Sequence, residues 1–259
     1  MHRYFIHLAY NGTKYHGWQL QPNAVTVQSV MEKSFSAVLR QEVQITGCGR
    51  TDTGVHARFF VAHFDLENPI QNTEEFTKKM NRFLPPDIHI EDIFRVKDEV
   101  HSRFTATSRT YQYIILLHKD PFWQEFGAYV FRDLDVKLMN EAAQLLYQYT
   151  DFTSFSKLHT QTKNNDCEIM YANWKKSGNK LIFTIQANRF LRNMVRAIVG
   201  TMIEVGRKRV SLEKFSEIIE KRDRNVAGIS APAKGLFLVD ITYPNDIILV
   251  ENEENIEKS

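Results

Sequence analysis

Apolar and polar positions alternate along the first hundred residues in a way that predicts strands and helices in turn. Residues 3–10 are rich in aromatic and branched side chains and stop at the turn dipeptide Asn11-Gly12, which predicts a first strand. From Val27 the apolar residues recur at helical spacing and predict an amphipathic helix. The remaining predictions for this half are short strands over 43–46 and 59–64, a helix that ends before Pro85-Pro86, and a strand over 88–96.

The second half of the chain continues the mixture of strands and helices. An alternating run that begins near Thr110 predicts a strand. We further predict a helix over 135–149, a strand over 181–187, helices over 189–205 and 211–221, and a last strand over 236–243. Because strands and helices do not alternate regularly, as they would in a parallel sheet, the predicted class is α+β, with two similar lobes of antiparallel sheet and helices packed on one face. The lobes are placed at residues 1–105 and 106–244, followed by a solvated acidic tail over 245–259.

The segment 47–54 is the strongest candidate for chemistry. Its glycines at 47, 49 and 54 permit a tight turn between two strands that presents Asp52 outward. Arg50 is close enough in sequence to pair with this carboxylate. An oriented aspartate beside a cation can serve as a nucleophile, a general base or a metal ligand. The simpler alternative is a hairpin in which Asp52 caps its own turn.

The triplet Asp52-Thr53-Gly54 also occurs in aspartic proteases, where two carboxylates share one proton. This chain contains no second Asp-Thr-Gly or Asp-Ser-Gly triplet. A dimer could supply the partner carboxylate, but the residues before Asp52 are Gly-Arg-Thr instead of an apolar strand. The protease interpretation is therefore the weaker one.

Composition narrows the class of protein. The chain has 259 residues, 43% of them hydrophobic and 25% charged, which is typical of a soluble globular protein, and a net charge of only +2, which does not by itself indicate nucleic-acid binding. Residues 245–259 hold five acidic residues and one lysine, so the other 244 residues carry +6. Two cysteines, no apolar stretch of membrane-spanning length and a start without a signal peptide favour a cytoplasmic protein with no membrane partner. The histidines and cysteines show no spacing suited to metal ligands, so no metal is predicted.

Seven ordered segments identify the chain as similar to the TruA family, the pseudouridine synthases that modify the anticodon stem-loop of transfer RNA. The matching segments are 9–13 with 17–21, 49–57, 101–106, 108–113, 151–155, 194–200 with 205–206, and 231–236. The resemblance covers nearly the whole chain. It implies the pseudouridine synthase fold, conversion of uridine to pseudouridine at positions 38, 39 and 40 of transfer RNA without a cofactor or metal, and a homodimer in which one transfer RNA touches both subunits.

The resemblance also implies roles for individual residues. Asp52 matches the nucleophile, which acts either on the uracil ring or at the sugar. Tyr111 and Arg196 match active-site residues of the family. The target base must leave its helical stack to be reached, and Arg50 is a candidate to fill the vacated space. The simpler interpretation, a salt-bridge partner of Asp52, is compatible with that role.

Further polar residues are candidates for RNA contact. If residues 189–205 form one helix, Arg189, Arg192 and Arg196 lie on one side of it together with Gly200, where a phosphate backbone or the Asp52 carboxylate could approach; a solvated face is the alternative. After the first strand, the residues that resemble the RNA-facing loop of the family are Asn11, Lys14, Gln19 and Gln21, for which an ordinary polar turn is the alternative.

A noncatalytic RNA-binding protein is the competing class, because strands backed by helices can present aromatic side chains to bases. Asp52 distinguishes the two, since an anion in a phosphate-binding cleft weakens binding and is needed only for catalysis.

Overall fold

The computed structural model describes residues 1–131, 133–157 and 164–249. Strands and helices follow one another along these residues without a regular repeat. In chain order they are β1 (His2–Tyr10), α1 (Val27–Leu39), β2 (Thr46–Gly47), β3 (His56–Leu66), α2 (Thr73–Phe83), β4 (Ile88–Arg95), β5 (Ser108–Leu116), β6 (Ala128–Tyr129), α3 (Val136–Leu145), β7 (Ile169–Ser177), β8 (Lys180–Ala187), α4 (Met194–Gly206), α5 (Leu212–Glu220) and β9 (Leu236–Thr242).

The strands of the described residues join into one sheet in the order β4-β1-β3-β9-β5-β8-β7, with β2 paired to β3 and β6 paired to β5. Most neighbours are antiparallel, but β3–β9 and β5–β6 are parallel, so the sheet is mixed. The predicted α+β class is confirmed. The strands of each half pair mostly antiparallel, as predicted, and the last strand of the chain inserts between β3 and β5 and joins the two halves into one sheet.

Local sequence explains where the helices begin. At the start of α1, the Thr26 hydroxyl accepts a hydrogen bond from the backbone N–H of Ser29, and the Ser29 hydroxyl accepts one from the backbone N–H of Thr26. Asn72, Asp135 and Ser211 cap α2, α3 and α5 through single side-chain oxygens. These side chains satisfy backbone donors that would otherwise lack partners at the first turn.

Two apolar clusters form the core. One contains residues of the first half such as Phe5 and Phe35, and the other contains residues of the second half such as Phe183 and Phe215. Strand β9 contributes to both clusters and so ties them together. The boundary between lobes at residue 105 stays a prediction.

Several predicted elements differ from the structure. Helix α4 begins at Met194 and not at residue 189, because Asn193 adopts a left-handed conformation with φ of 67°. Of the strand predicted over 43–46, only Thr46 lies in a strand. Strand β7 was not predicted, because its buried positions at 169, 172 and 174 do not alternate.

One residue of the segment predicted as a solvated acidic tail is packed. Ile247 is buried against the first core, and its carbonyl accepts a hydrogen bond from the backbone N–H of Lys97. The other described residues of this segment, 245, 246, 248 and 249, are exposed, and residues 250–259 lie outside the described part of the chain. None of the helices in the described ranges is long and apolar enough to span a membrane.

Candidate active site

The loop that carries Asp52 lies between β2 and β3 and packs on residues 10–18. At Gly17, where φ is +82°, a Cβ atom would stand 2.2 Å from the carbonyl oxygen of Thr51, so only glycine fits. The Thr51 hydroxyl is 2.9 Å from the hydroxyl of Tyr10, and the Gly54 N–H donates to the carbonyl of Tyr15 at 3.3 Å. These contacts on both sides of Asp52 hold its backbone in one place.

Two arginines from the second half of the chain meet the Asp52 carboxylate. Arg196 donates from Nη1 to Oδ2 at 3.1 Å, and its Nε donates to the carbonyl of Ala231 at 2.7 Å. Arg192 Nε lies 3.7 Å from Oδ1. The side chains of Asp52 and Arg196 are 23% and 20% exposed, whereas that of Arg192 is 54% exposed. Arg196 is thus the fixed partner and Arg192 the outer one.

The three arginines predicted to share one side of a helix do not all lie on that helix. Because α4 begins at Met194, Arg189 and Arg192 precede the helix. Arg192 nevertheless reaches Asp52 from the preceding turn, while Arg189 donates to Asn164 Oδ1 at 3.0 Å. A Cβ atom on Gly200 would lie 1.8 Å from the carbonyl oxygen of Ile229. The backbone of Ile229 therefore occupies the space next to Gly200. The prediction that a phosphate or the Asp52 carboxylate approaches the helix at Gly200 is wrong.

A cavity of about 1,020 Å³ opens beside the Asp52 carboxylate. Asp52 and Thr53 come from the first half of the chain, and the rest of the lining comes from residue 157, residues 192–196 and residues 224–230. The cations in this lining are Lys157, Arg192, Arg196 and Arg224. Sequence analysis did not single out Lys157 or Arg224, because both lie in polar loops without periodicity. The Arg224 guanidinium also braces the loop after it, donating to the Gly228 carbonyl at 3.2 Å and to the Ser230 hydroxyl at 2.9 Å.

Tyr111 lies on β5 at the centre of the sheet, opposite Ile185 of β8 and Leu238 of β9. Its ring is partly buried and meets the ring of Phe190 edge-on at a centroid distance of 5.2 Å. Burial raises the pKa of the Tyr111 phenol, and the negative charge of Asp52 adds to the rise. The phenol therefore stays protonated at neutral pH, and Tyr111 is not among the residues that line the cavity described above.

Arg50 does not pair with Asp52. The described ion pairs of this carboxylate are those with Arg192 and Arg196. The exposed Arg50 instead lines a second cavity of about 270 Å³ together with Gln19. The interpretation of Arg50 as a salt-bridge partner of Asp52 is wrong, because the turn directs the Arg50 side chain to the second cavity and the Asp52 side chain to the first.

The four polar residues after β1 do not form one cluster. Asn11 Oδ1 accepts from the Thr13 N–H at 3.1 Å and so caps a single turn. Lys14 lies 3.8 Å from Asp87, and Gln21 donates to the carbonyl of His16 at 2.8 Å. Gln19 alone among the four lines either of the two cavities.

The basic run at residues 207–209 and the histidine after the Asp52 loop have partners within the fold. Arg207 and Arg209 both pair with Glu204, and Lys208 pairs with Asp135, so two carboxylates offset most of the charge of these three cations. The Nδ1 atom of buried His56 accepts from the backbone N–H of Gly12 at 3.1 Å, which is a structural role.

Comparison with known proteins agrees with this geometry. The family model described as tRNA pseudouridine synthase matches residues 7–105 and 142–244, which include Asp52, Arg192 and Arg196. The chain belongs to the tRNA pseudouridine synthase family. The match stops between residues 105 and 142, so Tyr111 lies outside the matched ranges.

Relatives named tRNA pseudouridine synthase A align with almost the entire chain. The protein of Parabacteroides distasonis is 51% identical over 252 residues, covering 97% of this chain and 100% of the relative. That of Porphyromonas gingivalis is 50% identical over 253 residues, covering 96% and 100%. A more distant relative from Vibrio campbellii is 37% identical over 246 residues, covering 94% and 93%.

Proposed function

We propose that this protein converts uridine to pseudouridine in the anticodon stem-loop of transfer RNA, at positions 38, 39 and 40. One observation carries the proposal: the Asp52 carboxylate, 3.1 Å from Arg196, faces a cavity of about 1,020 Å³ lined by four cations. The names of the relatives indicate the substrate class, and the cavity offers both a nucleophile and the positive charge that a nucleic acid requires.

The reaction is an isomerisation and leaves the atom count of the nucleotide unchanged. The bond from ribose C1′ to uracil N1 breaks, a bond from C1′ to C5 forms, C5 loses its proton, and N1 gains one. Asp52 acts as the nucleophile, either on the uracil ring or at the sugar. A carboxylate suits both routes, because it can form a covalent bond and later leave as a stable anion.

Arg196 and Tyr111 position the reacting groups. The Arg196 guanidinium is anchored by the Ala231 carbonyl and presents a second N–H to Asp52, which orients the carboxylate toward the cavity. Tyr111 offers an aromatic ring and a protonated hydroxyl whose pKa is raised by burial and by the charge of Asp52. We assign it to contact with the flipped uracil through its ring and as a hydrogen-bond donor, not as a phenolate base.

The cavity accommodates a nucleotide taken out of its stack. Flipping costs roughly a few kcal/mol in lost stacking and pairing, and phosphate contacts to Lys157, Arg192 and Arg224 offset part of it. Because the substrate is transfer RNA, we further propose a cytoplasmic location. We also propose a homodimer in which one transfer RNA touches both subunits, consistent with the family resemblance.

The experiment that tests the proposal measures tritium release from C5-labelled uridine in an unmodified transfer RNA transcript without added cofactor. We expect release by the wild-type protein and none by Asp52→Asn, with transcript binding largely retained. Asp240→Asn, which changes an exposed carboxylate on β9 outside both cavities, serves as the matched control and should behave as the wild type. Transcripts with a single uridine at position 38, 39 or 40 then identify the targets.

A noncatalytic RNA-binding protein predicts a different pattern. In that case neither the wild-type protein nor Asp52→Asn releases tritium, although both bind the transcript. Undiminished release by Asp52→Asn would instead overturn the assignment of the nucleophile.

A further inference from the structure

The second cavity, of about 270 Å³, adjoins the loop that carries Asp52. Its lining combines two short segments: residues 45–50, which lead into that loop, and residues 101–104. Gln19 and Gln28 complete it. The volume is near the lower end of the roughly 300–1,000 Å³ of small-molecule sites, which suits a single planar group.

Phe104 is exposed although its loop is firmly held. Its side chain is 76% exposed. The loop is closed by hydrogen bonds between Thr105 and His101 in both directions, at 3.0 and 2.9 Å. The Ser102 hydroxyl ties the loop to the Thr46 carbonyl at 2.9 Å. The Phe104 ring meets the His101 ring at a centroid distance of 4.4 Å, and its exposed remainder at the second cavity is a surface on which a base can stack.

Cations flank this ring without carboxylate partners. The Arg103 guanidinium lies 5.6 Å from the centroid of the Phe104 ring, and Arg50 lines the same cavity. Neither arginine forms an ion pair within the part of the chain that the structure describes. Burial lowers the pKa of Arg103, and the nearby positive charges of Arg50, Arg109 and Arg189 add to the effect. This concentration of unpaired positive charge fits an anionic ligand.

Gly49 keeps open a space that the fold itself does not need. A Cβ atom there would have no neighbour within 4 Å, and the backbone is not in the left-handed region. Gly47 differs, since its Cβ atom would lie 2.4 Å from Trp18 Nε1. Folding thus accounts for Gly47 but not for Gly49, whose missing side chain widens the second cavity.

We infer that the second cavity is a nucleotide subsite, in which a base of the substrate RNA other than the target uridine stacks on Phe104 over Gly49 while its phosphate meets Arg50 and Arg103. The inference rests on the proposed function. An aromatic platform beside arginines is the usual arrangement for an unstacked base of RNA. Gln19, which has a side-chain amide at the same cavity, is placed to contact the edge of the base.

The test compares Phe104→Ala with Phe122→Ala, which removes an 89% exposed phenylalanine from a loop that lines neither cavity. From the range measured for base–aromatic stacking, we expect Phe104→Ala to weaken binding of an unmodified transfer RNA transcript by about 5- to 100-fold at fixed salt. Phe122→Ala should bind as the wild type. Phe104→Trp should restore binding, and its added fluorescence should be quenched by the transcript, whereas that of Phe122→Trp should not.

Gly49→Ala supplies an independent check on the cavity. Because the added Cβ atom has no neighbour within 4 Å, the melting temperature should not fall below that of the wild type, while transcript binding weakens. Equal transcript affinity of Phe104→Ala and Phe122→Ala would overturn the subsite.

A change in the oligomeric state of Phe104→Ala without a change in transcript affinity would overturn the nucleotide subsite in favour of a protein contact. Absence of tritium release by the wild-type protein would overturn the proposed function instead, and so the two failures are distinguishable.

Discussion

Replacement of Arg196 by lysine tests whether a fixed guanidinium orients the Asp52 carboxylate. In the structure, one guanidinium donates both to the Ala231 carbonyl at 2.7 Å and to Asp52 at 3.1 Å. A lysine keeps the charge but presents a single ammonium group, which cannot make both contacts in the same geometry. Arg196→Lys should therefore leave Asp52 with a cation nearby but without a fixed direction.

The expected loss follows from the hydrogen bond that changes. A hydrogen bond to a charged group contributes about 1.5–3 kcal/mol, and each 1.4 kcal/mol corresponds to about a tenfold change in rate. We expect single-turnover tritium release by Arg196→Lys to be about 10- to 100-fold slower, with little change in transcript affinity. Loss of the contact with Ala231 removes about 1 kcal/mol of stability, which lowers the melting temperature by roughly 2–4 °C.

Arg192→Lys is the matched control for this experiment. Arg192 lies 3.7 Å from the same carboxylate, but its side chain is 54% exposed. Exposed ion pairs contribute about 0–1 kcal/mol, so the rate of single-turnover tritium release by Arg192→Lys should fall by no more than about fivefold. Equal losses for the two variants, or a wild-type rate for Arg196→Lys, would refute the assignment of Arg196 as the orienting residue.

Two further predictions concern stability. Gly200→Ala places a Cβ atom 1.8 Å from the Ile229 carbonyl oxygen, so overpacking should lower the free energy of unfolding by about 1–3 kcal/mol. Calorimetry should show a lower melting temperature for this variant. An unchanged melting temperature would contradict the close packing. Burial, reinforced by the charges of Arg3 and His101, lowers the pKa of His63 to about 4, whereas the unfolded chain has a histidine pKa near 6.5. The stabilising effect of neutral His63 is complete above about pH 6.5 and is lost as the pH falls toward about 4, which lowers the free energy of unfolding by up to about 3 kcal/mol. Urea unfolding of His63→Gln should lack this part of the pH dependence. The same pH dependence in His63→Gln and the wild type would contradict the prediction.

Elements with one buried face could be predicted from the sequence. Helix α1 begins at Val27 as predicted, and α5 lies within the predicted range 211–221, because apolar residues at helical spacing define a single buried side. Strand β7 escaped prediction, since its register against β8 shifts between residues 169 and 171 and breaks the alternation. Helix α4 was predicted to start too early because the helical side-chain pattern also covers residues 189–193, whereas the left-handed backbone of Asn193 prevents the helix from extending to them.

The glycine-flanked Asp52 loop, the family resemblance and most of the helices and strands could be predicted from the amino-acid sequence, because they depend on residue type and on short spacings along the chain. Which cations meet the carboxylate could not be predicted in this way. Arg196 lies 144 residues from Asp52 and touches it, while Arg50, two residues away, lines another cavity. Strand β9 inserts between β3 and β5 and joins the two halves of the chain into one sheet, so contacts between distant segments depend on packing that short spacings do not encode.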